Sequence, residues 1–310
     1  MTGVAMVYHP NYSQVILPEK HRFPMTKFAL LHAHLLEHKV IRSEQLVQPA
    51  PAPTELLELA HCPHYLQRFF AGELDAAAVR RQGLPWSPAL VQRSVTAVGG
   101  TVETVRQALH NGLACHLAGG THHAHRDFGA GYCLLNDLAV AALWAVETQQ
   151  IKRVLIVDCD VHQGDGTARI LEQRPEVFTL SLHAQKNFPA RKAQSDLDVP
   201  LDNGLSDTGY LQALQQALEG VLQDFDPELV IYDAGADVHA DDRLGLLELS
   251  DAGVQARDRY VIRCCLERSL PVACVIGGGY DNNVERLAAR HGLLHRSAMA
   301  EWRLHQGWAA

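Results

Sequence analysis

The sequence predicts an α/β fold: one three-layer α/β/α domain over residues 1–310, with a central, mostly parallel sheet. Three observations predict it. Short apolar runs such as Val154-Leu-Ile-Val157 are unbroken, as in strands buried on both faces. Such runs alternate with stretches of helical spacing, which right-handed crossovers turn into a parallel sheet. No linker is long enough to divide the chain, and nothing repeats at a fixed period.

The elements follow in order. Residues 3–8 read as a first strand, His9-Pro-Asn-Tyr12 as a turn, and Pro24 opens a helix through about Leu36. The Pro-Ala stretch 49–53 joins elements rather than domains. Residues 54–60 and 63–70 are helical. Residues 72–86, with Gly83 and Pro85, read as an irregular surface loop beside a pocket. A long helix over 87–109 stops at Gly112. Residues 114–117 form a short strand, and 137–148 a helix capped by Asn136 or Asp137. The Val154 strand is followed by a helix over 165–172 and a strand over 177–182. Residues 184–207 hold Pro189, Pro200 and Gly204 and read largely as loop. The chain then gives a helix (207–222), a strand (228–232), a helix capped by Ser250 (251–266), a strand (271–276), a triple-glycine turn and a last helix (282–298).

Composition narrows the function classes. A hydrophobic fraction of 47% with 6% aromatics suits an enzyme with a filled core. A net charge of −8 and a pI near 6.1 argue against a dedicated nucleic-acid binder. No apolar run reaches membrane-spanning length, and the N-terminus lacks the pattern of a signal peptide. The seven cysteines are scattered without a C-x-x-C pair, so reduced thiols and a cytoplasmic location are expected.

Polar clusters stand just after the predicted strands. Asp158, Asp160 and His162 follow Val157 at alternate positions, which on an extended chain share a face. Carboxylates and an imidazole at the carboxyl end of a buried strand sit where open α/β sheets keep ligands. Oxygen and nitrogen donors without thiolate suit a divalent metal such as zinc with an open position. His122 and His123 stand among glycines, Asp237 follows another apolar run, and Tyr280 follows three glycines. Four such clusters at one sheet edge support one another.

With these motifs together the chain resembles the zinc-dependent histone deacetylases of the arginase/deacetylase fold. The matching residues are Gly119-Gly-Thr-His-His-Ala124, Gly131-Tyr-Cys-Leu-Leu-Asn-Asp137, Asp158-Cys-Asp-Val-His-Gln-Gly-Asp-Gly-Thr167, Ser181-Leu-His183, Ala234-Gly-Ala-Asp237 and Gly277-Gly-Gly-Tyr280. The stretch from Asp237 to Gly245 is most similar to class IV members and bacterial histone deacetylase-like amidohydrolases.

The resemblance implies that Asp160, His162 and Asp237 hold one Zn²⁺. His122 and His123 would be the general base and acid pair, oriented by Asp158 and Asp165, and Tyr280 would bond the carbonyl oxygen. Tyr132 and Phe188 would line a narrow channel, with Gly131 accepting the substrate amide proton. A structural K⁺ would use Asp158, Asp160, His162, Ser181 and Leu182. Leu244 stands where polyamine-selective relatives carry an acid. The loop Leu84-Pro-Trp-Ser87 has no acid where class I and II enzymes carry a rim Asp that clamps the substrate backbone.

The implied activity is removal of acetyl or longer acyl groups from lysine side chains by metal-activated water. An alternative is deacetylation of acetylpolyamines or other small amides. A binuclear manganese hydrolase is disfavoured, because His239 and Gly164 stand where a second metal needs acids. A catalytically dead binding module is disfavoured by the presence of every expected catalytic residue. Oligomeric state is left open.

Overall fold

Strand identity in this chain is set by short β-branched and aliphatic runs, and each becomes one blade of a single sheet. The computed structural model describes residues 3–307. Its strands are β1 (Ala5–Val7), β2 (Leu46–Val47), β3 (Leu113–His116), β4 (Val154–Asp158), β5 (Val177–Ala184), β6 (Leu197–Leu201), β7 (Leu229–Asp233) and β8 (Val272–Val275). The sheet order is β2-β1-β3-β8-β7-β4-β5-β6. Every pairing is parallel, where a mostly parallel sheet was expected. In β3, β4, β7 and β8 every residue is buried, as a sheet covered on both faces requires.

The helices are α1 (Lys27–Glu37), α2 (Thr54–Leu57), α3 (Pro63–Ala71), α4 (Ala76–Gln82), α5 (Pro88–Asn111), α6 (Asp137–Gln149), α7 (Asp165–Leu171), α8 (Asp207–Asp224), α9 (Asp251–Glu267) and α10 (Val284–His305). α5 and α6 pack together on one face of the sheet. α1 and α9 flank α10, and α8 packs on α9, to form the other layer. Caps fall where sequence chemistry puts them. Ser87 accepts from Leu90 N, Asn136 from Ala139 N, and Ser250 from Gly253 N. No helix of the described residues is long and apolar enough to cross a membrane.

Four segments differ from the sequence reading. Within 72–86, α4 forms from an Ala-Ala-Ala-Val-Arg-Arg-Gln run of good helix formers. Asp75 caps it by accepting from Ala78 N, and Gly83 ends it at φ 82°. The glycines and prolines flank this helix rather than interrupt it. Within 184–207, β6 pairs with β5 at the sheet edge, the one place where Pro200 can sit without leaving a ladder bond unmade. At the opposite edge, β2 is two residues long and too short for any periodicity to announce. The last helix also runs on to His305, beyond the expected 298.

Candidate active site

The loops leaving β3, β4, β7 and β8 converge because these strands are neighbours or near neighbours in the sheet and point the same way. They line a cavity of about 550 Å³, to which α1, α4 and α5 add walls. Asp158 ends β4, so the alternation expected of Asp158, Asp160 and His162 stops there. Asp160 and His162 lie on the turn that follows, and Asp158 faces a different partner.

Asp160, His162 and Asp237 are buried, and each offers a donor atom within 4.8 Å of the others. His162 Nδ1 lies 2.9 Å from Asp160 Oδ1 and 3.3 Å from Asp237 Oδ2. Backbone fixes the remaining oxygens. Gly278 N donates to Asp160 Oδ2 at 2.8 Å, and Val161 N to Asp237 Oδ1 at 2.8 Å. Asp237 Oδ2 is buried without a hydrogen-bond partner. A Cβ at Gly278 would press on both carboxylates, so only glycine lets this backbone come so close. Burial and the neighbouring Asp160 push Asp237 up to about 7. Burial opposes a charge on His162, but the bond to Asp160 and the nearby Asp237 carboxylate win and raise it to about 10. Paired buried carboxylates with an orphaned oxygen are what a cation between them would relieve.

Two imidazole–carboxylate pairs stand beside this triad. His122 Nδ1 is 2.7 Å from Asp158 Oδ2, and His123 Nδ1 is 2.7 Å from Asp165 Oδ1. Their electrostatics diverge. Burial works against a charge on both. At His122 the carboxylates of Asp158 and Asp160 overcome it and raise the imidazole. At His123 burial and the adjacent His122 lower it to about 3. Asp165, held by His123 and His125, lies below the usual carboxylate range despite its burial.

The expected channel residues also assemble. Gly131 and Tyr132 both adopt left-handed backbone, with φ 52° and 66°, and turn toward the cavity beside His123. Phe188, 44% exposed at the mouth, meets His123 edge-on at 4.8 Å. Tyr132 lies 5.9 Å from Tyr280, ring to ring. Leu244 is half-buried and lines the same cavity, so it is a wall residue rather than core. Ser181 is the register partner of Asp158 in the adjacent strand, with Leu182 buried next to it.

Four residues of the site escaped the sequence reading. His125 is a second partner of Asp165, at 3.2 Å. Asp233 ends β7 as Asp158 ends β4, in direct register with it, and both its oxygens are buried without partners. Burial and Asp158 hold its carboxyl far above the usual range. An acid closing an apolar run was the same signal that found Asp158. Lys27 and Arg93 are buried cations lining the cavity. Burial lowers both, Lys27 to about 8. Their signal was a cation in register with Leu31 and Leu35 on α1, and with Leu90 and Ala97 on α5.

Residues 21–293 match the histone deacetylase domain family. A Picosynechococcus protein of uncharacterised role is 53% identical over 296 residues, 96% of this chain and 98% of that protein. Histone deacetylase 2 of Arabidopsis thaliana is 30% identical over 301 residues, 93% of this chain and 78% of that one. The acetoin utilization protein AcuC of Bacillus subtilis is 29% identical over 79% of this chain and 68% of its own. In fold, the crystal structure of a histone deacetylase homologue complexed with SAHA superposes with a TM-score of 0.81 at 24% identity, covering 99% of this chain and 85% of that one.

Proposed function

From the premise that this chain belongs to the histone deacetylase family of hydrolases, we propose that it is a zinc amidohydrolase removing acetyl or longer acyl groups from lysine side chains. One observation carries the reading. The buried Asp160–His162–Asp237 triad opens into the same cavity as two His–Asp pairs and the Tyr280 hydroxyl. Two carboxylates and an imidazole without thiolate fit Zn²⁺ with an open position. The orphaned Oδ2 of Asp237 fits such an ion as well. One zinc per chain, held by these three residues, would supply Lewis acidity toward the scissile carbonyl and acidify a water molecule.

The chain's own residues supply the remaining parts. His122 and His123, each paired with a carboxylate, would between them accept the proton of water and donate one to the leaving amine. Asp158 and Asp165 fix the ring orientations. Burial holds Tyr280 protonated, so its hydroxyl donates to the oxygen that gains charge. Tyr132 and Phe188 bracket the lysine methylenes, Gly131 carbonyl accepts the amide proton, and Leu244 forms the apolar wall. Asp158, Asp160, His162, Ser181 and Leu182 would hold a structural K⁺. Seven unpaired cysteines accord with a reducing, cytoplasmic setting.

The test is zinc titration of the metal-stripped protein with an acetyl-lysine peptide. Activity is expected to rise to one equivalent. Asp160→Asn should lose both metal and turnover. Two tightly bound metals per chain by elemental analysis, or full activity without metal, would falsify this reading.

A further inference from the structure

An acyl pocket that receives a plain hydrocarbon chain needs no buried charge beyond the metal triad. This cavity has two more. Lys27 and Arg93 project from the buried faces of α1 and α5 and are only 3% and 4% exposed. They converge on the same two aromatic rings. Lys27 Nζ lies 5.9 Å from the Phe23 ring centre and 5.4 Å from that of Phe28. The Arg93 guanidinium lies 5.7 Å and 5.0 Å from the same rings.

Neither cation has its own counter-ion. Among the described residues no carboxylate stands within ion-pairing distance of either. Lys27 reaches only the Gly277 carbonyl, at 3.4 Å, and Arg93 Nε is buried with no hydrogen-bond partner. Asp137, whose charge Arg93 feels, already accepts from Thr101, Gly120 and Thr121. Asp160 and Asp237 belong to the metal triad. Ring faces offset part of the charge. The rest of the desolvation cost of two buried cations is left without compensation.

Both cations line the cavity that holds the triad, and Lys27 Nζ lies 5.9 Å from the Tyr280 ring centre. A carboxylate at the far end of the acyl group would satisfy them. We propose that this pocket accepts acyl chains that end in a carboxylate, of succinyl or glutaryl type, with the terminal carboxylate held by Lys27 and Arg93. This rests on the amidohydrolase reading above. Water's oxygen adds to the acyl carbon, the C–N bond breaks, and the lysine amine leaves with a proton. The acyl product is a free dicarboxylate.

The experiment compares one peptide carrying acetyl-, pentanoyl-, succinyl- or glutaryl-lysine on the zinc-loaded enzyme. Glutaryl and pentanoyl chains have equal length and differ in charge. The expected kcat/KM for glutaryl exceeds that for pentanoyl by about 10-fold or more, as charge-assisted bonds allow. Lys27→Met and Arg93→Met should each bring that ratio toward one. Equal or slower turnover of the charged chain by the unmodified enzyme overturns the proposal and leaves the amidohydrolase reading intact. Failure to cleave any of the four overturns that reading instead. In that event the melting temperature of the zinc-loaded protein with glutarate or with pentanoate reads the cation pair directly. A larger rise with glutarate is expected, and equal rises overturn the proposal.

Discussion

Tyr280 and Leu244 are set by one carboxylate. Asp242 Oδ2 accepts from Tyr280 N at 2.6 Å, and its Oδ1 accepts from Leu244 N and Gly245 N at 2.8 and 2.9 Å. Arg243 N closes the link by donating to Tyr280 O. The hydroxyl is therefore placed before substrate arrives, and its bond strengthens as charge moves onto the carbonyl oxygen. Tyr280→Phe is expected to lower kcat by about 10²-fold with little change in KM. Near-normal turnover of that variant would remove Tyr280 from the chemistry. Leu244 bears on the leaving half of the substrate. An apolar wall gives a cationic amine no ion pair and makes it lose hydration, while each buried methylene gains about 0.8 kcal/mol. Acyl-lysine peptides should thus exceed acetylspermidine in kcat/KM, and Leu244→Glu should narrow or reverse the gap. A clear polyamine preference in the unmodified enzyme would sink the idea. These residues were legible because short motifs carry them. Asp233, Lys27 and Arg93 were not, because each reads locally as a strand end or a helix face. Only the tertiary contact between strands and helices makes them part of the cavity.

Elements were legible in proportion to how strongly local chemistry marked them. β4 and β7 announced themselves as apolar runs, and the caps of α6 and α9 as Asn or Ser before a helical pattern. α4 and β6 were hidden by nearby glycine and proline, whose breaking power stops at the element boundary or falls on an edge. What holds the elements in register around the site was also hidden. Arg257 on α9 is fully buried and donates from Nη1 to the carbonyls of Cys159 and Gly235 at 3.1 and 2.7 Å. Those carbonyls precede Asp160 by one residue and Asp237 by two. Its Nε bonds Asp258 Oδ1 at 2.9 Å, which also accepts from the Tyr232 hydroxyl. α9 thereby clamps the loops after β4 and β7 to each other. Arg257→Met should cost about 3–5 kcal/mol by leaving Asp258 charged and buried. It should also weaken zinc binding by about 10–100-fold, through loss of the support behind the ligands. The double variant Arg257→Met/Asp258→Leu removes the stranded charge. It should recover stability but not zinc affinity, as calorimetric titration would read; recovery of both would leave Arg257 a purely structural residue.

At the scale of the whole molecule, the parallel sheet gathers its site from loops that are far apart in sequence, and something must lock those loops together. Part of the lock is buried neutral histidine. His61 is fully buried between the loop that leaves β3 and the start of α6. Its Nδ1 bonds the His125 carbonyl at 3.0 Å, and its Nε2 accepts from Asn136 N at 2.8 Å. The ring is therefore neutral with its proton on Nδ1, and a second proton on Nε2 would destroy the bond from Asn136. Burial is the main reason its pKa falls to about 4, and His295 and His116 are lowered to about 4 and about 3 in the same way. The sign follows from linkage. The unfolded chain takes up these protons below about pH 6.5 and the folded one does not, so the stabilisation is complete above that pH and is lost as pH falls toward 4. Buried carboxylates such as Asp237, raised to about 7, bind protons in the folded state over the same range and tilt the total the other way. A difference between two proteins cancels them. The stability advantage of the unmodified protein over His61→Gln should shrink by roughly 2 kcal/mol between pH 7.5 and pH 5, since each unit below 6.5 is worth about 1.4 kcal/mol. Urea unfolding at both pH values measures it. A constant difference would mean that His61 is not held neutral, and that the loop carrying His122 and His123 is anchored by other means.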